Sequence, residues 1–111
     1  MDLSDGHLLR IYIGEQDRHD DEPMHQWLVS EAHRQGVAGA TVLRGMEGFG
    51  ADGSLHTARV LRLSTDLPLV VEMVDTPDKI EAYLAVVDTA LERGLVTVEK
   101  VRMKFYRQGG N

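Results

Sequence analysis

From Leu8 to Ile13 the apolar residues Leu9, Ile11 and Ile13 alternate with Arg10 and Tyr12, the period of a half-buried strand, which Gly14 stops. A polar, mostly acidic connection follows over residues 15–22. Pro23 suits the first position of a helix in which Met24, Trp27, Leu28 and Ala32 fall at helical spacing. Gly36 stands where a left-handed cap would end that helix. A second strand is expected to start near Gly39 and to run through Val42 and Arg44 into a glycine-rich region. Asp52-Gly53 is a tight-turn signal ahead of another alternating run, His56 to Leu63. Residues 40–63 therefore read as a long hairpin or as a strand with a large loop. The dense apolar run Leu67 to Val74, broken by Glu72, fits a central strand with Pro68 at its start. Thr76-Pro77-Asp78 supplies a capping hydroxyl, a first-turn proline and an acid, so a helix is predicted there. Its buried stripe is Ile80, Tyr83, Leu84, Val87 and Leu91, and Gly94 its end. In the last strand Val96 and Val98 share one phase, whereas Val101, Met103 and Phe105 take the other. A β-bulge or a change of packing partner is expected near Glu99 and Lys100.

The order strand, helix, strand, strand, helix, strand predicts an α+β, ferredoxin-like βαββαβ fold. It places four antiparallel strands under two helices, with an extended loop or hairpin between the middle strands. A single domain is expected over residues 8–107, preceded by a flexible lead at 1–7 and followed by a tail at 108–111. Apolar residues on both faces of Leu69 to Val74 imply that the face away from the helices is covered, and in so short a chain neighbouring subunits are the expected cover.

A length of 111 residues calls for one hydrophobic core, and 42% hydrophobic with 27% charged residues is ordinary for a globular chain. No apolar run reaches the roughly 18 residues of a membrane span, and Met1 to His7 lacks the basic start and apolar core of a secretory signal. With no cysteine there is neither a disulfide framework nor a thiolate metal site, and a cytoplasmic location is expected. A net charge of −6 argues against nucleic-acid binding.

Against that acidic background, Gly39 to Leu63 concentrates Gly45, Gly48, Gly50 and Gly53 between Arg44, Glu47, His56, Arg59 and Arg62. Glycines at this density weaken a strand unless the backbone turns sharply or approaches something closely. Guanidinium groups offer paired donors to phosphate or carboxylate, and free glycine amides can form an anion nest. The predicted ligand-binding set is thus Arg44, Gly45, Glu47, Gly48, Gly50, His56, Arg59 and Arg62. The competing reading pairs the arginines with Glu47, Glu72 or a neighbour's acids. No nucleophile with a base stands out, so no catalytic residue is assigned and a non-enzymatic protein is expected. No metal ligand set is assigned either. Asp17, His19, Asp20 and Asp21 lack calcium-loop spacing, and His7, His19 and His56 include no pair at ligand spacing. An acidic run ahead of a helix is instead favoured by the helix dipole and by capping. Lys100, Arg102, Lys104 and Arg107 read as a solvated strand face, with reach towards a ligand in an adjacent subunit's cleft as the alternative.

The blocks Leu-Leu-Arg-Ile-Tyr-Ile-Gly-Glu (8–15), Gly-Ala-Thr-Val-Leu-Arg-Gly-Met-Glu-Gly-Phe-Gly (39–50), His-Thr-Ala-Arg-Val-Leu-Arg-Leu-Ser-Thr-Asp-Leu-Pro (56–68) and Val-Glu-Met-Val-Asp-Thr (71–76) resemble the domain of unknown function 190 family, over nearly the whole span Leu8 to Tyr106. That family is similar to the PII signalling proteins and the CutA group. The resemblance implies a homotrimer with ligand clefts between subunits and a long loop after the second strand that touches a partner. It makes a membrane transport protein a candidate partner and an adenine nucleotide a candidate for the small anionic effector. PII proteins hold phosphates partly with a glycine-rich basic loop before the last strand. Here that connection is Arg93-Gly94-Leu95-Val96, so no PII ligand residue is carried over. The alternatives are a CutA-like trimer binding a divalent metal and a ligand-free interaction scaffold.

Overall fold

Strand β1, Ser4–Gly14, is the axis of the sheet, because it pairs antiparallel with β7 (Pro68–Asp75) on one side and with β8 (Leu95–Met103) on the other. The computed structural model describes residues 2–49, 56–57 and 66–106. Between β1 and the first helix lie the short strands β2 (Arg18–His19) and β3 (Glu22–Pro23), paired as a small ladder. Helix α1 (Met24–Arg34) leads to β4 (Thr41–Arg44), then to the two-residue strands β5 (Glu47–Gly48) and β6 (His56–Thr57). Helix α2 (Pro77–Val87) joins β7 to β8. The four-stranded sheet has the order β4-β7-β1-β8, which is the ferredoxin-like arrangement expected from the element order. Among the described residues no helix is long and apolar enough to cross a membrane.

Alternation divides the sheet into two unlike faces. Along β7, Leu69, Val71, Met73 and Asp75 are buried while Val70, Glu72 and Val74 are half-buried. The apolar odd residues join Leu9, Ile11 and Ile13 of β1 and pack on Met24, Leu28, Ala32, Ile80, Tyr83 and Val87 of the helices. The opposite face carries a row of Leu43, Val70, Tyr12 and Leu95 across all four strands, and beside it a row of Thr41, Glu72, Arg10 and Thr97. Leu43 and Leu95 remain 48% and 58% exposed there, and no element among the described residues lies over them. In the second row Arg10 donates from Nε to Glu72 Oε2 at 2.8 Å and from Nη1 to Glu99 Oε1 at 3.3 Å.

Several boundaries differ from the sequence expectation. The lead assigned to residues 1–7 is strand from Ser4 onward, because Ser4 to His7 pair with Met103 to Lys100. Gly6 makes room for Met103, whose Sδ would stand 2.5 Å from a Cβ at that position. The tail at 108–111 lies outside the described residues. Pro23 caps α1 rather than opening it, and the Met24 amide donates to the Asp17 carbonyl at 2.8 Å. Helix α2 starts as expected, with the Lys79 amide donating to Thr76 Oγ1 at 3.3 Å. It ends at Val87 instead of near Gly94. The Thr89 hydroxyl donates to the Val86 carbonyl at 2.7 Å, and the chain tightens there into three-residue turns.

β8 contains no bulge: its register with β1 runs unbroken from Ser4 opposite Met103 to Tyr12 opposite Leu95. The change of phase is a change of packing partner. Val96 packs on the helix-side core, whereas Val101 and Met103 lie in the rows that face away from it.

Gly94 enters β8 with φ +118°, and a Cβ there would stand 2.5 Å from the Tyr12 carbonyl oxygen. Both features require glycine. Gly94→Ala is expected to cost about 1–3 kcal/mol of stability, read as a lower urea midpoint at unchanged slope. An unshifted midpoint would show that the connection relaxes freely.

Candidate functional site

Three chain segments meet where β1 ends, β4 ends and β7 begins, since Gly14 stands opposite Pro68 and Arg44 opposite Leu69. The turn after β1 is fastened at several points. The Gly14 amide donates to Asp17 Oδ2 (3.0 Å), the Glu15 amide to the Leu67 carbonyl (2.8 Å) and the Gln16 amide to Asp66 Oδ1 (2.9 Å). The connection between β4 and β7 leaves and re-enters the sheet at this place. On the leaving side Arg44 Nη2 donates to Glu15 Oε1 at 3.1 Å, and the Gly45 amide to the Pro68 carbonyl at 2.7 Å. Gly45 meets the close-approach requirement, because a Cβ on it would come within 2.8 Å of Pro68 Cγ. Beyond this root the chain forms the β5–β6 ladder, with Glu47 opposite Thr57 and Gly48 opposite His56. Met46 and Phe49 are 77% and 74% exposed, two large apolar side chains presented to solvent.

The predicted site residues are thus distributed as follows. Arg44 and Gly45 form the root, and Glu47, Gly48 and His56 belong to the ladder. Gly50, Arg59 and Arg62 lie outside the described residues. Of the hairpin and loop readings for residues 40–63, the β5–β6 ladder gives the hairpin one paired segment. The Gly45 amide is already committed to Pro68, which removes it from an anion nest.

Arg44 is paired, though not with the acids expected. Glu72 is held by Arg10, and the partner of Arg44 is Glu15, the first residue of the acidic connection. Its position directly after β1, at the sheet end shared with Arg44, was the available clue. The pair is partly exposed, 51% for the Arg44 side chain and 25% for that of Glu15, so its net contribution is about 0–1 kcal/mol.

The acidic connection is ordered as the β2–β3 ladder, with the His19 ring 4.3 Å from that of Trp27. Among the described residues no group of three or more His, Asp or Glu side chains could hold a metal ion. A cavity of about 350 Å³ lies at the other end of β1, lined by Asp5, His7, Pro77, Lys100 and Arg102. Arg102 Nε stands 3.6 Å from Asp5 Oδ1 there, so this concavity is separate from the predicted site.

Residues 6–103 match the family described as "Uncharacterized ACR, COG1993", the domain of unknown function 190. The chain belongs to that family. Among the family's curated relatives, a UPF0166 protein of Aquifex aeolicus (strain VF5) is 32% identical over 96 residues, covering 86% of this chain and 90% of the relative. The fold matches CPII, a nitrogen regulatory PII-like protein from Thiomonas intermedia K12, solved with ADP, AMP and bicarbonate. Its TM-score is 0.69 at 15% identity, over 94% of this chain and 100% of that one. A putative PII-like signalling protein of Thermus thermophilus, TTHA0516, matches with a TM-score of 0.65 at 18% identity, over 93% of each chain. At these identities the domain of unknown function 190 chain shares the PII-like fold, and ligands are a separate matter.

Proposed function

We propose that the protein is a cytoplasmic, non-enzymatic PII-like regulator. In this reading it assembles as a homotrimer through the uncovered sheet face and takes a small anionic effector, an adenine nucleotide first among the candidates, in a cleft between subunits. The effector engages Arg44 and orders the 45–58 connection, which then changes affinity for a protein partner, with a membrane transport protein as the candidate. The observation that carries the reading is the build of the β4–β7 connection. A cation sits at its root while Met46 and Phe49 stand exposed a few residues on, so one short segment holds both an anion-binding group and apolar contact groups. Support also comes from CPII, whose solved complexes contain ADP, AMP and bicarbonate, and in one case acetate. Every one of those ligands is either a phosphate ester or a small carboxylate-like anion, the chemistry a guanidinium recognises.

Such coupling requires the effector to bind the states of the connection unequally. Thermal unfolding against nucleotides, cyclic nucleotides, bicarbonate, small carboxylates and divalent metals tests this, because a ligand of the native form alone raises the midpoint by mass action. A concentration-dependent rise with ADP, AMP or bicarbonate is expected. A rise with metal alone would favour the CutA-like alternative. A flat panel would transfer the function to Met46 and Phe49 as the contacts of a ligand-free scaffold.

A further inference from the structure

We propose that Glu15 is a resident competitor for the effector: its carboxylate occupies Arg44 when no anion is bound, and an incoming anion must displace it. This rests on the reading of Arg44 as the effector's cation. The geometry points to exchange rather than to a shared cluster. Arg44 Nη2 is 3.1 Å from Glu15 Oε1, and no other carboxylate is paired with Arg44 among the described residues. An exposed pair of this kind is weak, so a ligand offering two oxygens in the guanidinium plane can replace it.

The displaced carboxylate does not stand on an isolated side chain. The Glu15 backbone amide is bonded to the Leu67 carbonyl at 2.8 Å, and the next amide, of Gln16, to Asp66 Oδ1 at 2.9 Å. The turn that carries Glu15 thus holds the returning root of the β4–β7 connection through its backbone and the departing root through its side chain. Release of Arg44 from Glu15 uncouples the departing root from the turn after β1 and leaves the guanidinium to the ligand, while the Gly45 amide keeps that root on the Pro68 carbonyl. That is the differential contact an effector needs in order to bias the connection. It also makes Glu15 an affinity threshold: an anion that cannot outcompete one carboxylate for Arg44 leaves the turn in its resting arrangement.

Competition has a particular signature. Removing the competitor should tighten every ligand that uses Arg44 by the same factor, since the lost term belongs to the free protein and not to any ligand. Isothermal titration of Glu15→Gln with ADP and, separately, with bicarbonate is expected to show about three- to five-fold tighter binding for both, against the parent protein. Gln keeps the shape of the side chain, and a thermal midpoint within about 2 °C of the parent checks that the fold is intact. In the Arg44→Ala background the substitution should give no gain. If the parent binds and Glu15→Gln binds equally or more weakly, Glu15 orients Arg44 rather than competing, and the proposal falls while the anion site stands. Binding by Glu15→Gln alone, with the parent silent, would support it most directly. Silence from both proteins with both anions would overturn the anion site and the proposal together.

Discussion

Val70→Asp is expected to convert the proposed trimer to monomers while leaving the subunit folded. Val70 stands in the middle of the row Leu43, Val70, Tyr12, Leu95, on the sheet face opposite the helices, so its side chain takes no part in the core. In the monomer an aspartate there stays at a partly hydrated surface and costs at most about 1 kcal/mol of strand preference. Under a neighbouring subunit the same carboxylate would be desolvated, and the cation in the adjacent row, Arg10, already serves Glu72 and Glu99. A buried carboxylate without a partner costs several kcal/mol per interface. Three copies of that penalty exceed what an association of ordinary strength can absorb. Sedimentation velocity should give a trimer for the parent chain and a monomer for the variant, with superimposable far-ultraviolet circular dichroism. A trimeric Val70→Asp protein would move the subunit contact to another surface.

Arg44→Ala is expected to weaken ADP binding about 10- to 100-fold without affecting assembly. A charge-assisted hydrogen bond from a guanidinium to phosphate contributes about 1.5–3 kcal/mol, which corresponds to that range. The structural cost is far smaller. Arg44 is an exposed terminal residue of β4, and its only ion pair among the described residues, with Glu15, contributes about 0–1 kcal/mol. Affinity and stability should therefore separate: titration calorimetry records the loss, while thermal midpoint and sedimentation stay near the parent values. Collapse of the assembly would make Arg44 a structural residue, and unchanged affinity would remove it from the site.

How far the sequence revealed this protein depends on whether a feature is written in neighbouring residues. Strand β1, strand β7 with Pro68 at its head, and the Thr76-Pro77-Asp78 start of α2 are local patterns, and each appears at the place the pattern gives, although β1 begins earlier, at Ser4. The element order then determined the fold. The end of α2 was not legible because Leu91 keeps to the apolar stripe after the helix has become turns, so burial outlasts helical hydrogen bonding. The two phases of β8 suggested a bulge because periodicity counts apolar positions without saying which layer they serve. An unbroken strand with Val96 on one face and Met103 on the other produces the same pattern. Within the site, Arg44 and Gly45 were legible from type and spacing. Glu15 was not, since its link to Arg44 runs across the start of β7 and joins residues 29 apart in the chain. The same distance effect hid the Asp66 bond to Gln16.

Arg10 has a consequence for how this sheet can change over generations. One guanidinium on β1 satisfies a carboxylate from β7 and another from β8, so three positions on three strands form one chemical unit. Replacing Arg10 by an apolar residue strands both acids. Replacing either acid alone leaves the guanidinium with a single counterion. An all-apolar row could serve as well or better under a neighbouring subunit, because buried charge is seldom the most stable solution. Reaching it takes three substitutions, and effects within such a contact network do not add. Arg10, Glu72 and Glu99 thus form a unit in which the effect of changing one position depends on the other two.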